Sequence, residues 1–309
     1  MQNKKLQLAL KIIISTALTA ILIKDLRKET DAEGLINIIL NTDLNSIYIF
    51  FLLALCSLII RSYRYFFALS QIMIDKNIEF YKILVVCSIR NLTVDLLPAR
   101  IGELSYFFLL KFYGISLAKS LSVFIVCFIL DFLVLAFLGL LLLSTANLTL
   151  FWILLTIMFS ASYLLLRLPM ALAFIEKRYG KNIDSINFEK LQETKTIIRL
   201  AALTAALRMS KYTALYILLR GVIIGSNLDF GKFEPVECTI AFILAEASAS
   251  LPASGIMGFG AYEKTWSALM NLPGTVSIIF TVHIISQLVN YLLSGICCLI
   301  FMFKQNEET

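Results

Sequence analysis

Histidine and cysteine are scarce in this chain, and their scarcity excludes several kinds of site. His283 is the one histidine among 309 residues, so a mechanism that needs two histidines is excluded. The six cysteines are scattered, apart from Cys297 and Cys298, and show neither metal-ligand spacing nor a disulfide framework. We therefore expect no metal site and no cofactor.

Charged residues are also few, at 16% of the chain, whereas a soluble domain has about 25%. Hydrophobic residues make up 59% and the mean hydropathy is +0.85, so the chain is predicted to be an all-α polytopic membrane protein. The net charge of +6 comes from cations at the ends of apolar runs, which is typical of cytoplasmic loops and not of a nucleic-acid surface. Trp152 and Trp266 are expected at membrane interfaces.

The apolar runs predict about six full spans, with both termini on the cytoplasmic side of the cell membrane. The predicted spans are residues 6–23, 46–72, 116–143, 150–168, 200–224 and 274–303. Residues 24–45 are expected to form an outer loop or a surface helix. The basic segment 169–199 gives the strongest orientation signal, because cytoplasmic loops are rich in lysine and arginine.

Two further apolar segments are interrupted by helix breakers and predict broken, re-entrant helix hairpins. The first break has the sequence Leu-Pro-Ala-Arg-Ile-Gly-Glu at residues 97–103, and the second occupies residues 251–263. From the charge pattern, we expect the first hairpin to enter the membrane from the cytoplasmic side and the second from the outer side. Alternatively, each hairpin is two full spans. This arrangement predicts an inverted-topology repeat within one domain, with halves 1–143 and 200–309 joined by residues 144–199. The expected helix-breaking residues are Pro98, Gly102, Pro252, Gly255, Gly258 and Gly260.

The breaks carry a recognisable pattern of residues. In the first half, Asp95, Pro98, Arg100, Gly102 and Glu103 are followed by Lys111 and by a helix with a central Asp131; in the second half, Pro252, Gly258 and Gly260 precede Glu263. With Arg61 and Arg64 at the end of the second span, this pattern resembles the flippase-like membrane domain of lysylphosphatidylglycerol synthases. The resemblance implies lipid translocation and not lipid synthesis, since we find no soluble aminoacyl-transferring domain. Tyr106, Phe128 and His283 stand where the family usually has cations, so the headgroup is not implied.

Charges inside membrane spans are costly and point to function, and Arg100 is the first candidate. It follows the breaker at the expected start of a half-helix, where backbone N–H groups and a guanidinium would bind a phosphate. Alternatively, Arg100 pairs with Glu103 or Asp95 to hold the break. Arg90, Lys111 and Arg208 are expected to assist with the phosphate, although Arg208 and Lys211 could instead reach the cytoplasmic surface.

The intramembrane carboxylates each leave two interpretations open. Glu103 and Glu263 would face one cavity and bind a cationic headgroup or a proton, or each would cap a half-helix. Asp131 would relay protons or pair with Arg90 or Arg208. Glu246 is a structural or proton candidate, and His283 is either a packed, hydrogen-bonded histidine or a switch.

The favoured function is a flippase that moves a phosphate-bearing phospholipid or polyprenyl-phosphate lipid between leaflets by alternating access. An integral membrane transferase acting on a lipid-linked substrate is the alternative, although no nucleotide or metal motif supports an enzyme. A non-transporting scaffold is a further alternative. A homo-oligomer or a partner in envelope biosynthesis is a possible assembly.

Overall fold

A computed structural model describes most of the chain. The described residues are 2–73, 78–143, 152–153, 155–156, 160, 190–191, 193–226, 234–249, 255–256, 259–272 and 274–308, and the side chains of 1–15, 98–100, 141–143 and 301–308 lie outside them. The helices are α1 (Gln2–Glu29), α2 (Ala32–Leu40), α3 (Leu44–Ile72), α4 (Phe80–Leu96), a 3₁₀ helix (Pro98–Glu103), α5 (Leu104–Phe112), α6 (Leu117–Leu143), α7 (Thr194–Gly225), α8 (Pro235–Ala249), α9 (Ala261–Met270) and α10 (Thr275–Glu308). One two-stranded hairpin, β1 (Gly255–Ile256) and β2 (Phe259–Gly260), joins α8 to α9. The all-α prediction is thus confirmed apart from this short hairpin.

Three of the described helices are long and apolar enough to cross a membrane. They are Leu44–Ile72, Leu117–Leu140 and Thr275–Ile300. The first runs without interruption through Arg61 and Arg64, as predicted, because its flanking residues supply a continuous apolar helix of 29 residues. Residues 144–151 and most of residues 152–192 lie outside the described residues, so the six-span count remains a prediction.

The chain divides into two compact units, and the first contains both sequence breaks. It comprises Met1–Cys56, Ser88–Ser105 and Ser210–Thr309. Within it, α1 packs against the β-hairpin, α9 and α10, and α8 packs against α9. Helix α2 has no buried residue and is capped by Asp31, whose carboxylate accepts a 2.7 Å hydrogen bond from the Gly34 N–H. The surface helix expected within residues 24–45 is therefore present.

Tight helix packing in the first unit depends on glycine. A Cβ on Gly221 of α7 would lie 2.4 Å from the Ser46 Cβ of α3, and a Cβ on Gly225 would lie 2.4 Å from the Asn41 carbonyl oxygen. The backbone N–H of Asp43 also donates to the Gly221 carbonyl at 3.2 Å. These contacts hold the start of α3 directly against α7.

The second unit, Ser57–Cys87 and Tyr106–Met209, contains an aromatic cluster. The Tyr65 and Tyr106 rings lie 5.0 Å apart between centroids, and Phe107 and Phe124 extend the cluster at 5.3 Å from each other. Tyr65 and Tyr106 are both buried. Stacked and edge-on ring contacts of this kind stabilise the unit beyond simple burial.

Two local expectations are corrected by the structure. The half-helix does not begin at Arg100 or Ile101: residues 98–103 form a 3₁₀ turn, and the α-helix begins at Leu104. Trp266 is not an interface residue, since it is fully buried, with its ring 5.8 Å from that of Phe242. Trp152, by contrast, is 57% exposed.

Candidate functional site

A group of charged side chains meets inside the second unit, on the three helices α3, α6 and α7. Arg64 makes a two-pronged contact with Asp131: Nη1 lies 2.8 Å from Oδ1 and Nη2 lies 3.1 Å from Oδ2. Arg208 Nη2 lies 3.3 Å from the same Oδ1. Thr204, one turn before Arg208, accepts a 2.9 Å hydrogen bond from Arg64 and donates to the Leu200 carbonyl. Arg64, Asp131, Thr204 and Arg208 are called the arginine–aspartate cluster below.

This cluster carries more positive than negative charge. Two guanidinium groups share one carboxylate, and Arg61, one turn earlier on α3, lies within electrostatic range of Asp131. The side chains of Arg64 and Arg208 are only 2% and 12% exposed. Paired guanidiniums match the geometry of a phosphate or carboxylate group.

Apolar and aromatic side chains surround the cluster at positions where the family pattern usually has cations. The guanidinium carbon of Arg64 lies 5.4 Å from the centre of the Tyr65 ring, which is within cation–π range. Tyr106 packs against that ring, and the Phe128 and Phe124 rings stack at 6.1 Å. Cys127 is also buried. Tyr106 and Phe128 thus belong to an aromatic cluster that reaches Arg64 through Tyr65.

The first break is held closed by its own backbone and hydroxyl groups. A Cβ on Gly102 would lie 2.1 Å from the backbone carbonyl of Thr93, so only glycine permits this approach of the 3₁₀ turn to α4. The Thr93 hydroxyl lies 3.0 Å from the Gly102 carbonyl and 2.9 Å from the Ser105 hydroxyl. Glu103 pairs with Arg90 at 3.7 Å. The break is thus a packed turn, in which Gly102 allows the close approach to α4.

Several candidates at this break are not brought into the arginine–aspartate cluster. Arg90 belongs with Glu103, so the expected pairing of Asp131 with Arg90 is not found, whereas its pairing with Arg208 is. Asp95 lies half-buried near the end of α4, and Lys111 is exposed in the last turn of α5. The side chains of Arg100 and Pro98 lie outside the described residues.

The second break is built around a buried carboxylate. Glu263 is fully buried, accepts a 2.7 Å hydrogen bond from the Gly260 N–H and contacts Nδ1 of His283. Gly260 has a φ of +123°, which favours glycine, and its backbone approaches Leu18 of α1. Glu263 thus caps α9, as one of its two interpretations expected. The backbone of Gly255 belongs to β1, while Pro252 and Gly258 lie outside the described residues.

His283 is held by hydrogen bonds and packing, which agrees with the first of its two interpretations. Its Nε2 lies 2.9 Å from the side-chain nitrogen of Gln287. Its ring centroid lies 4.6 Å from that of Phe259 and 4.7 Å from that of Tyr262. Glu263, which is fully buried, and His283, which is 13% exposed, therefore form a pair in the first unit with an aromatic ring on two sides.

The other intramembrane charges of the first unit are paired with each other. Lys211 Nζ lies 2.9 Å from Glu246, and the Tyr212 hydroxyl donates to the same carboxylate at 3.0 Å. Lys264 pairs with Asp25 of α1. Lys211 and Glu246 consequently serve as a structural ion pair in this conformation.

Sequence reasoning missed the central role of Arg64. The sequence pattern places it at the basic end of the second span, although the predicted span itself runs eight residues further, to Ile72, where α3 ends. That apolar continuation places Arg64 well inside the helix, and it is the signal that could have identified a buried arginine. Thr204 carried no such signal, since a hydroxyl in a helix usually bonds its own backbone.

In the part of the chain that the structure describes, no group of histidine, cysteine and carboxylate side chains could hold a metal ion.

The comparisons with known proteins agree with the sequence pattern. No curated protein matches the chain. The family model described as "Lysylphosphatidylglycerol synthase TM region" matches residues 8–298, which include both breaks and the whole arginine–aspartate cluster. The chain is therefore an integral membrane protein that belongs to the lysylphosphatidylglycerol synthase transmembrane-region family.

Proposed function

We propose that the protein moves a phosphate-bearing lipid between membrane leaflets and that the arginine–aspartate cluster binds the phosphate. The observation that carries this proposal is the contact of two largely buried guanidinium groups, those of Arg64 and Arg208, with the carboxylate of Asp131. A phosphodiester carries one negative charge and two exposed oxygens, so it matches the hydrogen-bond donors of paired guanidiniums. Membership of a lipid-related family supports a lipid as the source of the phosphate.

Asp131 would act as the counter-ion that holds both arginines when no lipid is bound. Its contact with Arg64 is two-pronged, whereas Arg208 makes a single 3.3 Å contact. The weaker contact is the easier one to exchange. A lipid phosphate would therefore bind chiefly by recruiting Arg208, while Arg64 stays on Asp131 and Thr204.

The proposed topology has six spans and an inverted repeat, with both termini on the cytoplasmic side of the cell membrane. Movement would follow alternating access, with the acyl or prenyl chains left in the bilayer. Phospholipids and polyprenyl-phosphate lipids share the phosphate chemistry, and the cluster does not distinguish them.

The proposal is tested by measuring headgroup movement in vesicles that contain the purified protein. Phosphatidylglycerol and a lipid with the same chains but no phosphate are compared, and the phosphate-bearing lipid is expected to move much faster. Equal rates for the two lipids would contradict a phosphate site. Lipid extracts from the same vesicles are analysed by mass spectrometry, because chemical conversion of the lipid would instead favour the membrane transferase.

A further inference from the structure

Glu263 is a buried carboxylate, and its ion-pair partner among the described residues is a histidine. Its side chain is 0% exposed, and within the described residues no lysine or arginine lies at pairing distance from it. One carboxylate oxygen accepts the Gly260 N–H, and the other contacts Nδ1 of His283. With a neutral imidazole the pair would be a fully buried net negative charge, which is strongly unfavourable. One added proton makes the pair neutral overall.

We propose that Glu263 and His283 together bind one exchangeable proton, and that this proton is coupled to the lipid movement proposed above. The coupling rests on that proposed function, whereas proton binding by the pair does not. The proton lies between the Glu263 carboxylate oxygen and His283 Nδ1, so that either group can carry it. Release of the proton leaves Glu263 with a negative charge. Because a buried charge is unfavourable, the protein then favours a conformation in which water reaches Glu263.

The orientation of the Gln287 amide depends on the protonation state of the pair. When His283 is neutral, with its hydrogen on Nδ1, Nε2 accepts a hydrogen bond from the Gln287 amide. When the ring carries both hydrogens, Nε2 donates, and the amide must turn to offer its oxygen. A turn of the Gln287 side chain would therefore accompany proton uptake and release at the imidazole.

The charged groups on the elements around the pair already have partners of their own. On α1, Asp25 pairs with Lys264 of α9, and Glu29 accepts the Ser277 N–H of α10. On α8, Glu246 pairs with Lys211 of α7. Among the described residues, the phenols of Tyr262 and Tyr291 also lie near the pair, and Asp95 lies within electrostatic range of Tyr291. Because Glu263 and His283 contact each other directly, the proton is assigned to this pair.

Because the chain has one histidine, ¹⁵N-histidine labelling reports on His283 alone. The labelled protein in lipid nanodiscs is titrated from about pH 5 to about pH 9 by NMR, a range in which imidazole groups change charge. We expect the ring signals to change within this range, and Glu263→Gln to shift or abolish that change. Ring signals that stay constant over the whole range in the wild type, or that respond identically in Glu263→Gln, would overturn proton binding by the pair.

Coupling is measured separately, as the ratio of lipid movement with an imposed pH gradient to movement without one. The wild-type ratio should differ severalfold from one, and His283→Gln and Glu263→Gln should both give a ratio near one. Glu246→Gln removes another intramembrane carboxylate and should keep the wild-type ratio. A wild-type ratio of one, with lipid movement intact, would overturn the coupling but not the proposed function. If no lipid moves at all, the proposed function and the coupling both fail, and the NMR titration still decides proton binding.

Discussion

Replacement of Asp131 by asparagine is the most informative perturbation of the arginine–aspartate cluster. Asparagine has nearly the same shape and keeps one side-chain oxygen as an acceptor for Arg64 or Arg208. It removes the carboxylate that contacts both arginines. The two buried guanidinium groups would then both lose their ion pair with residue 131.

The contact distances allow the cost to be estimated. At about 3 Å and an effective dielectric constant of about 20, each charge pair is worth roughly 5 kcal/mol before desolvation is considered. Breaking a buried ion pair by removing one partner costs about 3–5 kcal/mol in measured cases. Because the Asp131 side chain is 20% exposed, we expect a loss near the lower end, about 3 kcal/mol. Arg208→Gln leaves the two-pronged Arg64 contact intact and should cost only about 1 kcal/mol.

The free energy of unfolding is measured by denaturant titration in detergent micelles for the wild type, both single variants and the double variant. The double variant returns the cluster to the net charge of the wild type, so its loss should be smaller than the sum of the two single losses, as expected for residues in contact. If the Asp131→Asn variant is as stable as the wild type, or if the losses in the free energy of unfolding are strictly additive, the assignment of Asp131 as the shared counter-ion is refuted.

Two further predictions concern the backbone. Gly102→Ala should strongly destabilise the protein, because its Cβ would overlap the Thr93 carbonyl. Gly295→Ala, whose Cβ would meet nothing within 4 Å, should be neutral or slightly stabilising. Thermal unfolding of both variants checks this prediction, and equal stabilities would contradict it. The hydroxyl and the backbone N–H of Ser46 donate hydrogen bonds to the Asp43 carboxylate and hold its pKa below the ordinary value of 3.8. The charged carboxylate therefore stabilises the folded state at pH values above 3.8. This stabilisation is lost as the pH falls through the pKa that Asp43 has in the folded protein. Asp43→Asn should therefore lower the melting temperature relative to the wild type at pH 7, and this difference should shrink as the pH falls below 3.8. A difference that does not depend on pH would contradict this role of Asp43.

The helices and both breaks could be predicted from the sequence because they depend on local composition. Long apolar runs predict α3 and α6, and Pro98 ends α4 since it cannot continue a helix. The hairpin at residues 255–260 escaped prediction because strands of two residues show no alternating pattern.

The chemistry of the cluster was harder to predict because it depends on pairing between distant residues. Arg64 and Asp131 are 67 positions apart, and Arg64 and Thr204 are 140 apart. Local patterns cannot choose among several arginines for one carboxylate, so Arg90 and Arg208 were equally reasonable partners for Asp131. The Glu263–His283 contact was equally hidden, although both residues were recognised separately as candidates.

The most direct test of the central proposal is the rate of phosphatidylglycerol movement in vesicles containing Arg208→Gln. Loss of one charge-assisted contact to the phosphate, worth about 1.5–3 kcal/mol, should slow movement by roughly tenfold to a hundredfold. Arg220→Gln removes one arginine from the same helix outside the cluster and should move lipid at the wild-type rate. A folded Arg208→Gln protein that moves phosphatidylglycerol as fast as the wild type would contradict the assignment of the arginine–aspartate cluster as the phosphate site.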